Sequence, residues 1–353
     1  MTHALRSVSM SHPMSAVPEH NRPRPPMPRL AAAPSPSLER PEGPIARTVD
    51  DVAALGARLR ASVETAVRMR EETLGVVLAT LLGGGHLLIE DHPGVGKTTL
   101  ARTLASSLDG RLSRVQATVD LLPADVLGTS IWRAETASFD FLPGPVFANV
   151  VLVDELNRAT PKTQSGLLEA MQERQVTVDG QSRPIQPPFI VIATQNPTAG
   201  YDGTYPLPPA QLDRFMTRVS LGYPTADQQV SLLRDGEERA VAAVSHPAQL
   251  LAAQEVVARV HASDALLRYV VGLLEATRHH PLAEVGASPR AGVLLLAAAR
   301  AHAALAGRDY VLPDDVQALA GPVLSHRIEP TAAATPGAQA QVIADAVAQV
   351  TAR

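Results

Sequence analysis

The spacing of apolar residues divides the chain into regions of different structure. From Thr48, apolar residues recur every three or four positions, and this helical period predicts two helices up to about Leu82. Short β-branched runs then alternate with helical segments as far as Tyr223. Such alternation is typical of a parallel sheet that carries helices on both faces. Beyond Tyr223, alanine- and leucine-rich segments at helical spacing predict a bundle of about four helices, without further strand-like runs.

These patterns predict an α/β domain over residues 47–224 and a helical domain over residues 225–353. Residues 1–46 hold ten of the thirty prolines, and we expect this tail to be disordered because proline fixes the backbone angle and donates no amide hydrogen bond. Its stretch RPRPP could dock to a proline-reading domain, or the tail could only keep the protein in solution.

A hairpin interrupts the α/β pattern before the strand that begins at Phe189. The segment QVTVDGQSRPI alternates polar and apolar residues around Asp179-Gly180. This dipeptide favours a two-residue turn between antiparallel strands. We therefore predict a small ribbon there.

The segment GVGKTT, residues 94–99, follows an apolar strand and opens a helix. A glycine-rich loop in this context turns its amides toward phosphate oxygens, and the helix N-terminus attracts the anion. Lys97 would meet the β and γ phosphates, and the Thr98 hydroxyl would bind Mg²⁺. The alternative is a glycine-rich turn that binds no ligand. The predicted loop consists of Pro93, Gly94, Val95, Gly96, Lys97, Thr98 and Thr99.

Two further strands end in polar residues. VVLVDE runs into Asp154 and Glu155, which suits Asp154 as a Mg²⁺ ligand and Glu155 as the group that orients an attacking water. FIVIATQNP ends near Asn196, whose amide could bond that water or the γ phosphate if the two strands are neighbours. The alternatives are that Asp154 and Glu155 are solvated acids at the end of a strand, and that Asn196 belongs to an ordinary Asn-Pro turn.

Two arginines stand at helix ends, Arg214 in AQLDRFM and Arg290 in GASPRAG. The planar guanidinium suits phosphate oxygens, although either residue could instead form a surface ion pair.

Composition narrows the class of protein. A formal net charge of -4 offers no general attraction for nucleic acid, so we expect no nucleic-acid partner. Cysteine is absent, which excludes disulfides and thiol chemistry and suits the cytoplasm. No apolar run is long enough to span a bilayer.

Together these motifs resemble the MoxR group of AAA+ ATPases, which are related to the ATPase subunits of magnesium chelatase. The likeness extends over roughly residues 48–329. Its motifs occur in the family's order: PGVGKTTLA, VDELNRATPKTQSGLLEAMQER, VTVDG, IATQNP, GTYPLPPAQLDRF and GASPRA.

The resemblance implies an AAA+ P-loop fold with a helical lid, assembled into a ring of six subunits that binds ATP and Mg²⁺. It implies that residues 94–99 form the Walker A loop, Asp154 and Glu155 the Walker B acids and Asn196 sensor one. Arg214 would be the arginine finger that acts in the neighbouring subunit, and Arg290 would be sensor two. The stretch LGTSIWRAETASFDF would be an insert that faces the ring pore.

Family members act as chaperone-like remodellers of client proteins, often with a partner that carries a von Willebrand factor A domain, or in metal insertion. A nucleic-acid motor on the same fold is disfavoured by the acidic charge. A nucleotide-sensing scaffold that barely hydrolyses ATP is disfavoured because Glu155 and both arginines are present.

Asp91 departs from the motif, since it stands where the loop usually has its first glycine. Aspartate tolerates turn conformations because its side chain bonds to amides just downstream. We expect its carboxylate to cap the turn and to point away from the triphosphate.

Overall fold

The computed structural model describes residues 45–92, 94–196, 204–223, 225–235 and 241–351. Apart from its last two residues, the segment predicted to be a disordered tail lies outside these ranges. The strands of the described ranges, in chain order, are β1 (Leu87–Glu90), β2 (Leu112–Gln116), β3 (Gly128–Arg133), β4 (Ser138–Pro143), β5 (Val150–Asp154), β6 (Gln175–Val178), β7 (Gln181–Pro184), β8 (Ile190–Gln195), β9 (Thr217–Val219), β10 (Ala283–Val285) and β11 (Glu329–Pro330).

Helices precede, separate and follow these strands along the chain. They are α1 (Val49–Ala66), α2 (Glu71–Leu82), α3 (Lys97–Ser107), α4 (Pro123–Leu127), α5 (Pro161–Glu173), α6 (Pro209–Leu212), α7 (Ala226–Asp235), α8 (Pro247–Ala258), α9 (Asp264–Arg278), α10 (Pro289–Leu305), α11 (Pro313–Leu324) and α12 (Ala338–Gln349).

The two helices predicted before Leu82 are confirmed. Helix α1 begins at a capping box: Thr48 Oγ1 accepts a bond from Asp51 N at 3.2 Å, and Asp51 Oδ2 accepts one from Thr48 N at 3.0 Å. Its buried residues recur at helical spacing. This apolar stripe consists of Val52, Leu55, Leu59 and Val63.

The centre of the fold is a five-stranded sheet in the order β2-β5-β8-β1-β9, and every pair in it is parallel. Alternate residues of a strand point to opposite faces. On β1, Leu87 and Ile89 pack with α1 and α3, whereas Leu88 packs with residues of α5 on the other face. The predicted parallel sheet with helices on both faces is therefore confirmed.

Two hairpins leave this sheet. Strands β6 and β7 form the predicted ribbon, and Asp179 and Gly180 between them have φ of 52° and 73°. Both values match the turn type that favours an Asp-Gly pair. Strands β3 and β4 form the other hairpin, on which Trp132 and Phe139 lie edge to face with ring centroids 5.1 Å apart and are both more than half exposed. Its orientation toward a ring pore stays a prediction.

The helical region differs from the prediction in two ways. In the described part of residues 225–353 there are six helices, α7 to α12, where about four were expected. Strands β10 and β11 also pair there, although no further strands were expected. These strands have only three and two residues. Segments this short carry no periodicity, so tertiary packing decides their conformation.

Helix α10 joins this helical region to the first two helices. It packs against α1, α2, α8, α9 and α11, and one continuous apolar cluster runs from α1 through the sheet into α11 and α12. The domain boundary near residue 224 stays a prediction. Within the described ranges, none of the helices has the length and apolar character needed to cross a membrane.

The packing of α10 predicts the effect of shortening its buried side chains. Leu295 is fully buried, and Leu295→Ala should lower the free energy of unfolding by about 2–5 kcal/mol, because it leaves a cavity. Val293 on the same helix is 69% exposed, so Val293→Ala should change the free energy by less than about 0.5 kcal/mol. Denaturant unfolding measures both values, and equal losses would contradict this packing.

Candidate nucleotide-binding site

The strand order brings the candidate residues to one edge of the sheet. Strands β5, β8 and β1 are neighbours in that order, and their carboxyl ends carry Asp154, Asn196 and the glycine-rich loop. In open parallel sheets, ligands bind at this edge. The role predicted for Asn196 depends on β8 lying beside β5, and this pairing of the two strands is confirmed.

The glycine-rich loop leads directly into α3, which begins at Lys97. Gly94 and Gly96 have φ of 84° and 90°, a region that side-chain-bearing residues rarely adopt. Val95 between them is buried and holds the loop to the core. Pro93, which the sequence included in the loop, lies outside the described residues.

Lys97 is held inside the loop by its own chain. Its Nζ donates to the carbonyl oxygen of Asp91 at 2.8 Å. Burial lowers the pKa of this ammonium group, and the nearby carboxylates of Asp91, Asp154 and Glu155 partly offset that effect. The charge is therefore surrounded by acceptors and can exchange a carbonyl oxygen for a phosphate oxygen.

The Asp91 side chain is almost fully buried and accepts three hydrogen bonds. Oδ1 accepts from His92 N at 2.8 Å, and Oδ2 accepts from Gly222 N at 2.8 Å and Ser220 Oγ at 3.0 Å. Burial raises the pKa of this carboxyl, but the hydrogen bonds outweigh burial and the net shift is downward. The bond from His92 N confirms the expected cap. The bonds to Ser220 and Gly222 also tie the loop to the chain after β9.

The two acids at the end of β5, Asp154 and Glu155, have separate partners. Asp154 Oδ2 lies 2.7 Å from Arg114 Nε, and Glu155 Oε2 lies 2.9 Å from Arg158 Nε. Glu155 has a φ of 55°, and its N–H donates to Thr194 Oγ1 at 2.9 Å. A left-handed backbone is uncommon outside glycine and is typical of functional sites. The bond to Thr194 holds Glu155 in this conformation.

Lys97 and Thr98 of the loop, the two acids and Asn196 line one cavity of about 160 Å³. Thr98 and Asp154 both face it, and their hydroxyl and carboxylate oxygens are hard ligands of the kind that Mg²⁺ prefers. The residues therefore fit a magnesium ion bound together with phosphates. The lining consists of Asp91, Lys97, Thr98, Arg114, Gln116, Asp154, Glu155, Thr194 and Asn196.

The structure does not bring the two predicted arginines into this cavity. Arg214 follows α6, and within the described ranges its side chain has no hydrogen bond or ion pair. Arg290 lies at the start of α10, as expected, where its Nε is 3.6 Å from Asp213 Oδ2 and its Nη1 donates to Gln172 Oε1 at 3.3 Å.

Sequence reasoning missed three lining residues, Arg114, Gln116 and Thr194. Gln116 ends β2 and Thr194 lies near the end of β8, so the rule that strand ends meet at one edge would have indicated both. Arg114 has no such signal, because its contact with Asp154 depends on the pairing of β2 with β5.

Comparisons with known proteins agree with this geometry. A family model described as ATPase family associated with various cellular activities (AAA) matches residues 86–217. A model of the AAA lid domain matches residues 275–346. The lid match extends beyond the likeness seen in the sequence and includes part of α12.

Several curated relatives align over most of both chains. The uncharacterized protein YeaC of Bacillus subtilis is 48% identical over 71% of this chain and 79% of its own. Chaperone MoxR1 of Mycobacterium tuberculosis is 40% identical over 83% of this chain and 80% of its own. Protein MoxR of Paracoccus denitrificans is 34% identical over 76% of this chain and 86% of its own.

A crystal structure of a Cytophaga hutchinsonii protein, described as a candidate ATPase, superposes with a TM-score of 0.77 at 34% identity. The match covers 86% of this chain and 97% of that one. The fold is therefore shared with that protein over nearly its whole length. The chain belongs to the MoxR family of AAA+ ATPases.

Proposed function

We propose that the protein binds ATP with Mg²⁺ and hydrolyses it to ADP and phosphate. The observation that carries this proposal is the single cavity shared by Lys97, Thr98, Asp154, Glu155 and Asn196. A cation, a hydroxyl and two adjacent carboxylates at the carboxyl edge of a parallel sheet are the groups that phosphoryl transfer to water requires.

The loop receives the phosphates. The amides of residues 94–99 and the N-terminus of α3 stabilise the anion, and Lys97 exchanges its bond to Asp91 O for the β and γ phosphates. Bound Mg²⁺ would neutralise charge on the phosphate oxygens, with Thr98 and Asp154 as its protein ligands. Asp154 Oδ2 pairs with Arg114 Nε at 2.7 Å, and this contact would be shared with or replaced by the ion.

Glu155 activates water in this proposal. Its carboxylate orients the water and accepts a proton as the water oxygen attacks the γ phosphorus. The bond from Glu155 N to Thr194 Oγ1 fixes the backbone from which this carboxylate projects. Asn196, on the adjacent strand, is placed to hold the same water or a γ-phosphate oxygen.

The site of one chain lacks the two arginines, and we propose that a neighbouring subunit completes it. Arg214 serves as the arginine finger and Arg290 as the arginine of the helical lid. Arg290 lies beside Asp213, the residue that precedes Arg214, and neither arginine lines the cavity that holds Lys97. Such a head-to-tail contact closes into a ring or continues as a filament. We propose a ring of six subunits.

ATP turnover in this ring would drive remodelling of a client protein. The Mycobacterium tuberculosis relative is named a chaperone, which supports this role. The exposed Trp132 and Phe139 at the β3–β4 hairpin offer apolar surface for a client. A partner with a von Willebrand factor A domain and a task in metal insertion are the finer proposals, and they rest on the family resemblance.

Glu155→Gln should separate ATP binding from ATP hydrolysis. The amide cannot accept the proton of water, so the hydrolysis rate should fall by about 10²–10⁴-fold while ATP stays bound. Single-turnover phosphate release and nucleotide retention measure the two effects. Glu275→Gln is the matched control, because Glu275 is exposed on α9. A Glu155→Gln protein with normal turnover would rule out this role.

Mixed assemblies test whether Arg214 acts on the neighbouring site. Arg214→Ala subunits keep Lys97 but lack the finger, and Lys97→Ala subunits keep the finger but bind phosphate poorly. Each variant alone should hydrolyse ATP slowly, and a mixture should recover activity at the Arg214→Ala sites. No recovery in assemblies that are shown to contain both subunits would contradict action in trans.

Asp91→Gly tests the role of the unusual loop residue. The Asp91 carboxylate is engaged by His92, Ser220 and Gly222, so its removal should not relieve repulsion of ATP. The dissociation constant for ATP, measured by calorimetry, should not fall. Asp91→Asn is the control, since it keeps an acceptor oxygen. A gain of more than about tenfold, or ~1.4 kcal/mol, would show that the carboxylate opposes ATP.

A further inference from the structure

Asp213 lies immediately before Arg214 and contacts two arginines of the helical region. Its Oδ1 is 2.7 Å from Arg327 Nε, and its Oδ2 is 3.6 Å from Arg290 Nε. Arg327 belongs to a 3-10 turn that follows α11, and Arg290 begins α10. One carboxylate thus connects the short segment that carries Arg214 to two different helices.

Arg327 holds the main chain of this segment as well as the carboxylate. Its Nη2 donates to the carbonyl oxygens of Asp213 at 3.1 Å and Phe215 at 2.5 Å, and its Nη1 donates to Met216 O at 3.4 Å. The Arg327 side chain is only 2% exposed. These bonds fix the backbone on both sides of Arg214 and leave the Arg214 side chain to project from a rigid base.

The carboxylate is needed because the guanidinium is buried. Burial lowers the pKa of Arg327, and Asp213 counteracts this by hydrogen bond and by charge. A buried arginine that loses its carboxylate partner keeps an uncompensated charge, which is strongly unfavourable. Loss of the Asp213 charge would therefore also loosen the bonds from Arg327 to the neighbouring carbonyls.

We propose that Asp213 is a positioning residue: by pairing with Arg327 and Arg290 it fixes Arg214 in the orientation that the neighbouring subunit's ATP requires. This inference rests on the proposed function of Arg214. It assigns Asp213 to the side of the subunit that donates the arginine and gives it no role in the subunit's own cavity, which it does not line. Position matters here because small displacements of a catalytic group cost large factors in rate.

The test uses the two subunit types of the mixed assembly. Lys97→Ala subunits are donors of Arg214, and Arg214→Ala subunits are acceptors. Asp213→Asn is placed either in the donor, as Lys97→Ala/Asp213→Asn, or in the acceptor, as Arg214→Ala/Asp213→Asn. Each is mixed with the unmodified subunit of the other type, and the ATPase rate is compared with that of the parent mixture. Native mass spectrometry checks that both subunits enter the assemblies.

The proposal predicts an asymmetric result. Asp213→Asn in the donor should reduce the recovered rate at least about tenfold, because Arg214 is misplaced. Asp213→Asn in the acceptor should leave the recovered rate unchanged, because no arginine is donated from there. Two results would overturn the proposal. One is a recovered rate that is the same with and without Asp213→Asn in the donor, and the other is loss of recovery whether the change is in the donor or in the acceptor. A purely structural role gives the symmetric loss.

Two further variants make the result specific. Asp345→Asn in the donor is the matched control, since this residue pairs only with His280 among the described side chains and is half exposed. It should leave recovery unchanged. If Asp213→Asn subunits do not enter the assemblies, Asp213→Glu is used in place of Asp213→Asn. The recovered rates with the change in the donor and in the acceptor are then compared in the same way. A parent mixture that itself shows no recovery would refute the proposed role of Arg214 instead.

Discussion

The order of the five parallel strands is the constraint on which the site depends. Because β5, β8 and β1 are neighbours, one edge of the sheet collects a glycine-rich loop, two acids and an amide from three separate segments between residues 94 and 196. Apolar residues on both faces hold these strands, with Leu87 and Leu88 of β1 in opposite clusters. Burial on both sides fixes the register, since a shift by one residue would exchange the two faces. The positions of Lys97 and Asp154 follow from that register.

The charges at this edge are balanced by the chain itself. Lys97 bonds to a main-chain carbonyl, Asp154 pairs with Arg114, and Glu155 pairs with Arg158. Lys97, Asp154 and Glu155 all line the cavity. A triphosphate with its cation can therefore replace their present partners. Asp91 contributes differently, because its bonds to Ser220 and Gly222 connect the loop to the segment that leads toward the helical region. Asp91 itself lines the cavity, whereas its partners Ser220 and Gly222 do not.

Sequence alone predicts the sheet, its flanking helices and the residues at strand ends, because these features follow from period and from local turn chemistry. Asp179-Gly180 is such a case, since its dihedral angles are those that the dipeptide favours. The sequence does not predict β10, β11 or α12, because their conformation depends on packing against distant helices. It also misses Arg114 and the contacts of Asp213, because pairs separated by 40 and 114 residues leave no local pattern. The domain boundary and the roles of both arginines stay predictions.

The central claim is that one chain holds only part of an ATPase site and that a second copy supplies the rest. Arg214 and Arg290 lie outside the cavity that Lys97, Asp154 and Glu155 line, which is the physical basis of this claim. The most direct test measures the ATPase rate per subunit over a range of protein concentrations, with the assembly state followed in parallel by mass photometry. The account predicts that the rate per subunit rises with the fraction of assembled protein and is near zero for monomers. A rate per subunit that stays constant down to concentrations at which monomers dominate would contradict it.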